Sequence, residues 1–234
     1  MQDKIGQLVD LTHPIKSGMP HWPGDPQTVV EPVAKVGREG YGLNRIVIGE
    51  HSGTHVGAPR HFYDEGKDIS QIPVDRLLCP GVRISVRNEA LNNPDFMLLP
   101  EHISSWQVAF SQLPSHSFVL IETGWSRFWN TPEVYFGMKS GRMHFPGVSK
   151  TAAELLTQSY QVAGIGIDTA GIDGGLSADF AANKILAAND GLHLENLTNL
   201  DLLPAKGFSL FIGALPIETG SGSPCRVIAM LAET

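Results

Sequence analysis

The sequence is short of several things, and each shortage removes a class of protein. Two cysteines, Cys79 and Cys225, in 234 residues are too few for a secreted disulfide framework and suit a reducing compartment. Charged residues make up only 18%, with a formal net charge of -7, and no basic stripe is present to follow a phosphate backbone. Nucleic acid is therefore not the expected partner. No apolar run is long enough to span a bilayer, and the opening "MQDKIGQLVDLTHPI" lacks the apolar region of a signal peptide. The expectation is a cytoplasmic protein with no membrane partner. No G-x-G-x-x-G or P-loop follows a strand, which leaves nucleotide binding unsupported. No G-x-S-x-G elbow occurs, which argues against a Ser-His-Asp hydrolase. Linkers, repeats and low-complexity segments are also missing, so one domain over residues 1–234 is expected.

What the chain does have is 42% hydrophobic residues and 25 glycines, enough for a sizeable core. Runs rich in β-branched residues predict strands over 45–50, 81–86, 118–123, 162–168, 208–217 and 225–231. "SKTAAELLTQSY" over 149–160 predicts a helix with Ser149 as N-cap and an apolar stripe of Ala153, Leu156 and Tyr160. A second helix is expected over 179–188. Many strands with few helices point to α/β with a mixed sheet. Cys79 and Cys225 sit in or beside apolar strand-like runs and read as small core residues.

The stretch "HSGTHVGAPRHF", residues 51–62, carries the densest chemistry. Three histidines share the company of two glycines and a proline. A helix is disfavoured by Gly53, Gly57 and Pro59. A strand end running into a tight loop fits better, and the even spacing of His51, His55 and His61 would put them on one face of an extended chain. Nine histidines make a pair at spacing four commonplace by chance. From spacing alone, metal ligands, catalytic groups and ordinary hydrogen-bonding histidines all remain open.

The wider pattern is more specific. His-x-Gly-Thr-His at 51–55, then Pro59 and His61, resembles the signature of the cyclase family, which includes bacterial kynurenine formamidase and isatin hydrolase. The resemblance continues through "LVDLTHPIKSGMPHWPGD", "ETGWSRFW", "FPGVSKTAAELL", "GIDTAGID", "HLENLTNLDLLP" and "ETGSGSPCRVIAML", in the family's order and over nearly the whole chain. It implies the family's swivelling β/α/β fold and assembly into homodimers or higher homo-oligomers. It also implies metal-dependent hydrolysis of a small-molecule amide or lactam. By the same resemblance, His51, His55 and Glu195 match metal ligands, His61 matches the proton-transfer histidine, and Trp22 matches an aromatic that lines the substrate pocket.

Two positions depart from that pattern. Gly57 stands where the family's bridging aspartate is expected, and Asn183 where a helix histidine is expected. A two-metal site built the usual way is then not expected. A single Zn²⁺ or Mn²⁺ on His51, His55 and Glu195 remains, with His61 as general base and acid. His193 and Glu195, two apart on a predicted strand, face the same side, so His193 is a further candidate ligand; the alternative is a polar residue on a solvated strand edge. Replacing Gly57 with Asp and Asn183 with His would be expected to rebuild the two-metal ligand set. Two functions follow. One is a metal-dependent hydrolase of a small cyclic or aromatic amide, lactam or lactone. The other is a metal-poor relative, acting as a binding or scaffold protein or as a metal-independent cyclase.

Overall fold

The computed structural model describes residues 6–232; the first five residues of the N-terminal reading lie outside the described residues. Among the described residues, twelve strands run in chain order: β1 (Leu8–Asp10), β2 (Val29–Ala34), β3 (Leu43–Val47), β4 (His55–Gly57), β5 (Leu78–Ser85), β6 (Met97–Leu98), β7 (Phe118–Glu122), β8 (Gly147–Val148), β9 (Gly164–Ile167), β10 (Leu192–Glu195), β11 (Phe208–Ala214) and β12 (Gly222–Leu231). Six helices accompany them: α1 (Val36–Glu39), α2 (Arg87–Asn92), α3 (Pro100–Phe110), α4 (Pro132–Phe136), α5 (Lys150–Glu154) and α6 (Ala181–Ala188).

The main sheet closes on itself. Its order is β1-β12-β11-β5-β7-β9-β10-β4, and β4 pairs back onto β12. Strands β5, β7, β9 and β10 are mutually parallel, while β4 is antiparallel to both β10 and β12. The result is a mixed β-barrel in an α/β protein. Closure leaves β4 with no free edge, so three residues with little strand character are held in place by two neighbours.

Strand β7 shows why both faces are covered. "FVLIE" is buried at every position, as expected of a parallel strand with a core on each side. Phe118 and Leu120 join an inner cluster with Val56, Leu192, Leu194, Leu210 and Val227. Val119 and Ile121 pack on the other face with Ile103, Trp106, Leu156, Ala182 and Leu186, which come from α3, the α5 segment and α6. The β10 residues Leu192 and Leu194 point inward, so His193 and Glu195 point outward, towards α6.

The helix predicted over 149–160 begins as read: Ser149 Oγ accepts from the Ala152 amide at 3.2 Å. It then widens into a π turn over Leu155–Ser159. The strand predicted over 45–50 forms β3, but in a separate hairpin with β2 outside the barrel. All five β3 residues are exposed. Among the described residues, no helix is long and apolar enough to cross a membrane. Both cysteines are buried and unpaired.

Candidate active site

The stretch containing His51 and His55 is a loop running into a strand. His55, Val56 and Gly57 are β4, and residues 59–61 are a short 3-10 turn. The three histidines therefore do not share a face by extended-chain parity. They meet because the loop, strand and turn fold back on one another: the His51 and His61 rings stack at 3.7 Å, and those of His51 and His55 lie edge-on at 5.1 Å.

Register brings in the residues from far along the chain. On the β4–β10 ladder, Glu195 faces His55 and His193 faces Gly57. On the other side of β4, Gly222 also faces Gly57. The two glycines leave room for two imidazoles. A Cβ on Gly57 would fall inside the His193 ring, at its Cε1–Nε2 edge, and a Cβ on Gly222 would run into His51 Cε1. His51, His55 and His193 each present one ring nitrogen, and all three nitrogens lie within 4.8 Å of one another.

Hydrogen bonds set two of these rings. His55 Nδ1 lies 2.9 Å from the Gly53 carbonyl oxygen. That acceptor requires Nδ1 to carry the proton, so Nε2 presents its lone pair. Nε2 is buried without a hydrogen-bond partner. Glu195 Oε2 is 3.3 Å away, but no hydrogen bond forms between them. For His51, Nε2 lies 2.9 Å from Ser221 Oγ, which donates to Glu50 Oε2 at 2.6 Å. With its own proton committed to the carboxylate, Ser221 accepts from His51 Nε2, and Nδ1 keeps its lone pair. Nδ1 is likewise buried and unpartnered. Outer partners that fix an imidazole's tautomer are characteristic of metal-binding histidines. The donor set fits a divalent ion.

Electrostatics agree. Burial lowers the pKa of His193 to about 3, with Glu195 opposing the shift. Burial and the imidazoles of His55, His61 and His193 depress His51 strongly. These rings are neutral at pH 7, as ligands must be. Burial alone would raise the pKa of Glu195, and the Ile172 amide, which donates to Oε1 at 2.8 Å, opposes that rise.

His51 and His61 open onto a cavity of about 300 Å³, with His55 and His193 buried behind its lining. Its polar lining includes His51, His61, Glu195 and Asn183, and its aromatic lining Trp22, Phe62, Phe136 and Phe180. Trp22 lies edge-on to Phe145 at 6.2 Å and tilted to Phe180 at 6.1 Å. Asn183 Oδ1 is buried and unpartnered. Asp173 accepts from the Ala182 and Asn183 amides at 2.9 and 3.0 Å, which anchors the start of α6 beside the cavity. Burial lowers the pKa of His61, against an upward pull from Glu195.

Residues outside the candidate ligand set support this arrangement. Asn196 Nδ2 donates to the Gly53 carbonyl at 2.9 Å, while its Oδ1 accepts from Tyr135 Oη at 2.7 Å. This fixes the carbonyl that orients His55. Ser221 lies in a quoted block and Glu50 directly precedes His51, but nothing in either context signals contact with His51. Asp168 accepts from the Thr123 amide, Thr123 Oγ1 and the Trp125 amide, bracing the turn after β7. His144 pairs with Asp95 and is not part of the cavity lining.

Comparison with known proteins settles the family. The Cyclase family model, described as "Putative cyclase", matches residues 9–174. The chain belongs to the cyclase family. Isatin hydrolase of Roseibium aggregatum is 32% identical over 217 residues, 88% of this chain and 82% of that protein. Kynurenine formamidase of Erythrobacter litoralis is 27% identical over 224 residues, 95% and 93% of the two chains. The structure of isatin hydrolase A from Labrenzia aggregata, bound to benzyl benzoate, matches with a TM-score of 0.91 at 32% identity, covering 97% of this chain and 94% of that one. The stretch matched to the family model ends before Asn183, His193 and Glu195.

Proposed function

We propose that this protein is an arylformamidase-like, metal-dependent hydrolase that opens the C–N bond of a small cyclic or aromatic amide or lactam, or the corresponding lactone bond. The observation that carries this reading is the pair of buried, unpartnered imidazole nitrogens, His51 Nδ1 and His55 Nε2, in a three-histidine cluster beside an aromatic-lined cavity. The relatives named isatin hydrolase and kynurenine formamidase support an amide of that size.

His51, His55 and His193 would hold one divalent ion, Zn²⁺ or Mn²⁺, with the Glu195 carboxylate alongside. Such an ion supplies Lewis acidity, polarising a carbonyl oxygen and making water more acidic. The other work falls to side chains. Trp22 and the phenylalanines form walls against which a planar ring can lie, excluding water from its faces. His61, neutral and facing the cavity from the ring stack with His51, takes the proton from the attacking water. It then returns that proton to the leaving nitrogen, the usual dual role of a histidine general base. Asn183 offers its amide oxygen to a substrate N–H.

The alternative, a scaffold protein or a metal-independent cyclase, leaves the unpartnered nitrogens unexplained, because buried polar atoms without partners cost about 1–3 kcal/mol each. We assign the protein to the cytoplasm and to a homodimer or higher homo-oligomer. Leu43, Ile46 and Val47, exposed on the hairpin outside the barrel, support self-association.

The test is hydrolysis of isatin, N-formylkynurenine and simpler formanilides by protein stripped with chelator and then reloaded. Activity that vanishes on stripping and returns with Zn²⁺ or Mn²⁺ is expected. Equal activity in the stripped protein would refute the reading.

A further inference from the structure

We propose that Gly57 and His193 act as one unit: His193 supplies a third metal-binding imidazole, Gly57 is the opening that admits it, and the resulting set of three neutral nitrogens favours Zn²⁺ over Mn²⁺. The inference deepens the hydrolase reading above and rests on it for what the ion does, but not for where the ion binds.

The argument begins with the ladder. His193 and Gly57 are direct cross-strand partners in the antiparallel β10–β4 pair, where opposed Cβ positions lie about 4.5–5.5 Å apart. Two ordinary side chains there would stand side by side. Here the imidazole instead leans across its partner, and its Nε2 edge occupies the space a residue-57 side chain would need. Gly57 has a β conformation with no positive φ, so the backbone does not demand glycine there. The demand comes from the ring above it.

That lean aims His193 at the other two histidines. The only mutual set of candidate ligand atoms among the described residues is His51, His55 and His193. His51 is admitted in a parallel way by Gly222, the residue on the far side of Gly57 in the same cross-strand row. Two glycines in one row thus give way to two imidazoles. An aspartate at position 57 therefore requires the His193 ring to leave its present position. Gly57→Asp with Asn183→His would rebuild a two-metal ligand set only with the His193 ring moved from its present place.

The donor set has a consequence for metal choice. Three imidazoles with an open position form a known catalytic zinc arrangement. Carboxylate and water ligands suit Mn²⁺, whereas imidazole suits Zn²⁺. Glu195 adds one carboxylate beside the set but does not belong to the mutual group. The site is therefore richer in nitrogen than in oxygen.

The experiment is equilibrium dialysis of the full chain against buffered Zn²⁺ and, separately, Mn²⁺, with elemental analysis and Co²⁺ absorption as a report of nitrogen ligation. The variants are His193→Ala, His193→Gln, Gly57→Asp and the Gly57→Asp/His193→Ala pair, each checked for folding by circular dichroism. The wild type should hold one Zn²⁺ per chain and prefer it to Mn²⁺ by at least about tenfold. Each single variant should lose more Zn²⁺ affinity than the roughly 10–100-fold that an outer-shell change costs. The pair should recover binding and narrow the preference for Zn²⁺. If Gly57→Asp does not fold, the two His193 variants still decide the matter. Wild-type Zn²⁺ affinity in His193→Ala, or in Gly57→Asp alone, would overturn the proposal and leave the hydrolase reading standing. A wild type that takes up neither metal would overturn both.

Discussion

The strand wall, the β4–β10 ladder beside the cavity, places its side chains by backbone register, whereas the loop wall places them by ring packing. On the strand wall, His55, Glu195 and His193 sit on paired rungs of β4 and β10, and the His51 and His55 imidazoles are oriented by hydrogen bonds. On the loop wall, Trp22, Phe62 and Phe180 meet only through tilted ring contacts at 5.5–6.1 Å. The difference separates two requirements. Bond-breaking chemistry tolerates little displacement of ligands and base. Recognition of a flat ring tolerates more, because aromatic walls can shift slightly and still bury the same surface. Changes on the strand wall should therefore be costly and specific, and changes on the loop wall modest and confined to affinity.

The sharpest separation is expected at His61, on the turn leaving β4. His61→Ala should lower turnover on the order of 10²–10⁴-fold with metal content unchanged by elemental analysis. Loss of metal in that variant would make His61 a ligand and shift it onto the strand wall's ligand set. Next comes Asp168, which braces the turn after β7 from a fully buried position. Burial raises its pKa to about 6 against the pull of the Thr123 and Gly124 hydrogen bonds. Asp168→Ala strands the buried donors of Thr123 and Trp125, and unfolding in urea should show a loss of about 3 kcal/mol or more. A loss under about 1 kcal/mol would mean that water replaces the carboxylate.

How much of this was legible in the sequence follows from the same division. The barrel strands rich in Val, Ile and Leu announce themselves, because burial on both faces demands such residues. Strand β4 does not: His-Val-Gly has one apolar residue and becomes a strand only because β10 and β12 flank it. Helix α3 was also hidden. Only Ile103 and Trp106 are buried along it, too thin a stripe to read. His51, His55, His61, His193 and Glu195 could each be named as candidates. That His193 leans over Gly57 could not be, since it depends on a register linking residues 136 positions apart. Nor could the Glu50–Ser221 pair behind His51, which joins two loops.

That pair yields a smaller prediction. Ser221→Ala removes the acceptor for His51 Nε2 and should weaken metal binding by about 10–100-fold. The measurement is competition with a chromophoric chelator, and unchanged affinity would show that His51 needs no partner. The loop wall should respond least. Trp22→Ala removes one ring face, a contact of about 0.5–1.5 kcal/mol, so KM should rise roughly two- to tenfold with kcat nearly constant. A large fall in kcat would place Trp22 in the chemistry. Phe180 has a left-handed backbone with φ of 53°, a conformation that costs an L-residue about 1–2 kcal/mol. Phe180→Gly should therefore raise KM several-fold while changing the melting temperature little. A marked destabilisation would mean that the ring, not the backbone, anchors α6.

The central claim is that three imidazoles from a loop, β4 and β10 converge on one ion. Anomalous diffraction at the zinc edge, from a crystal grown with one equivalent of Zn²⁺, tests it most directly. The account predicts a single peak at roughly 2.0–2.1 Å from His51 Nδ1, His55 Nε2 and a ring nitrogen of His193. A peak bound by His51, His55 and Glu195 with His193 turned away would contradict it.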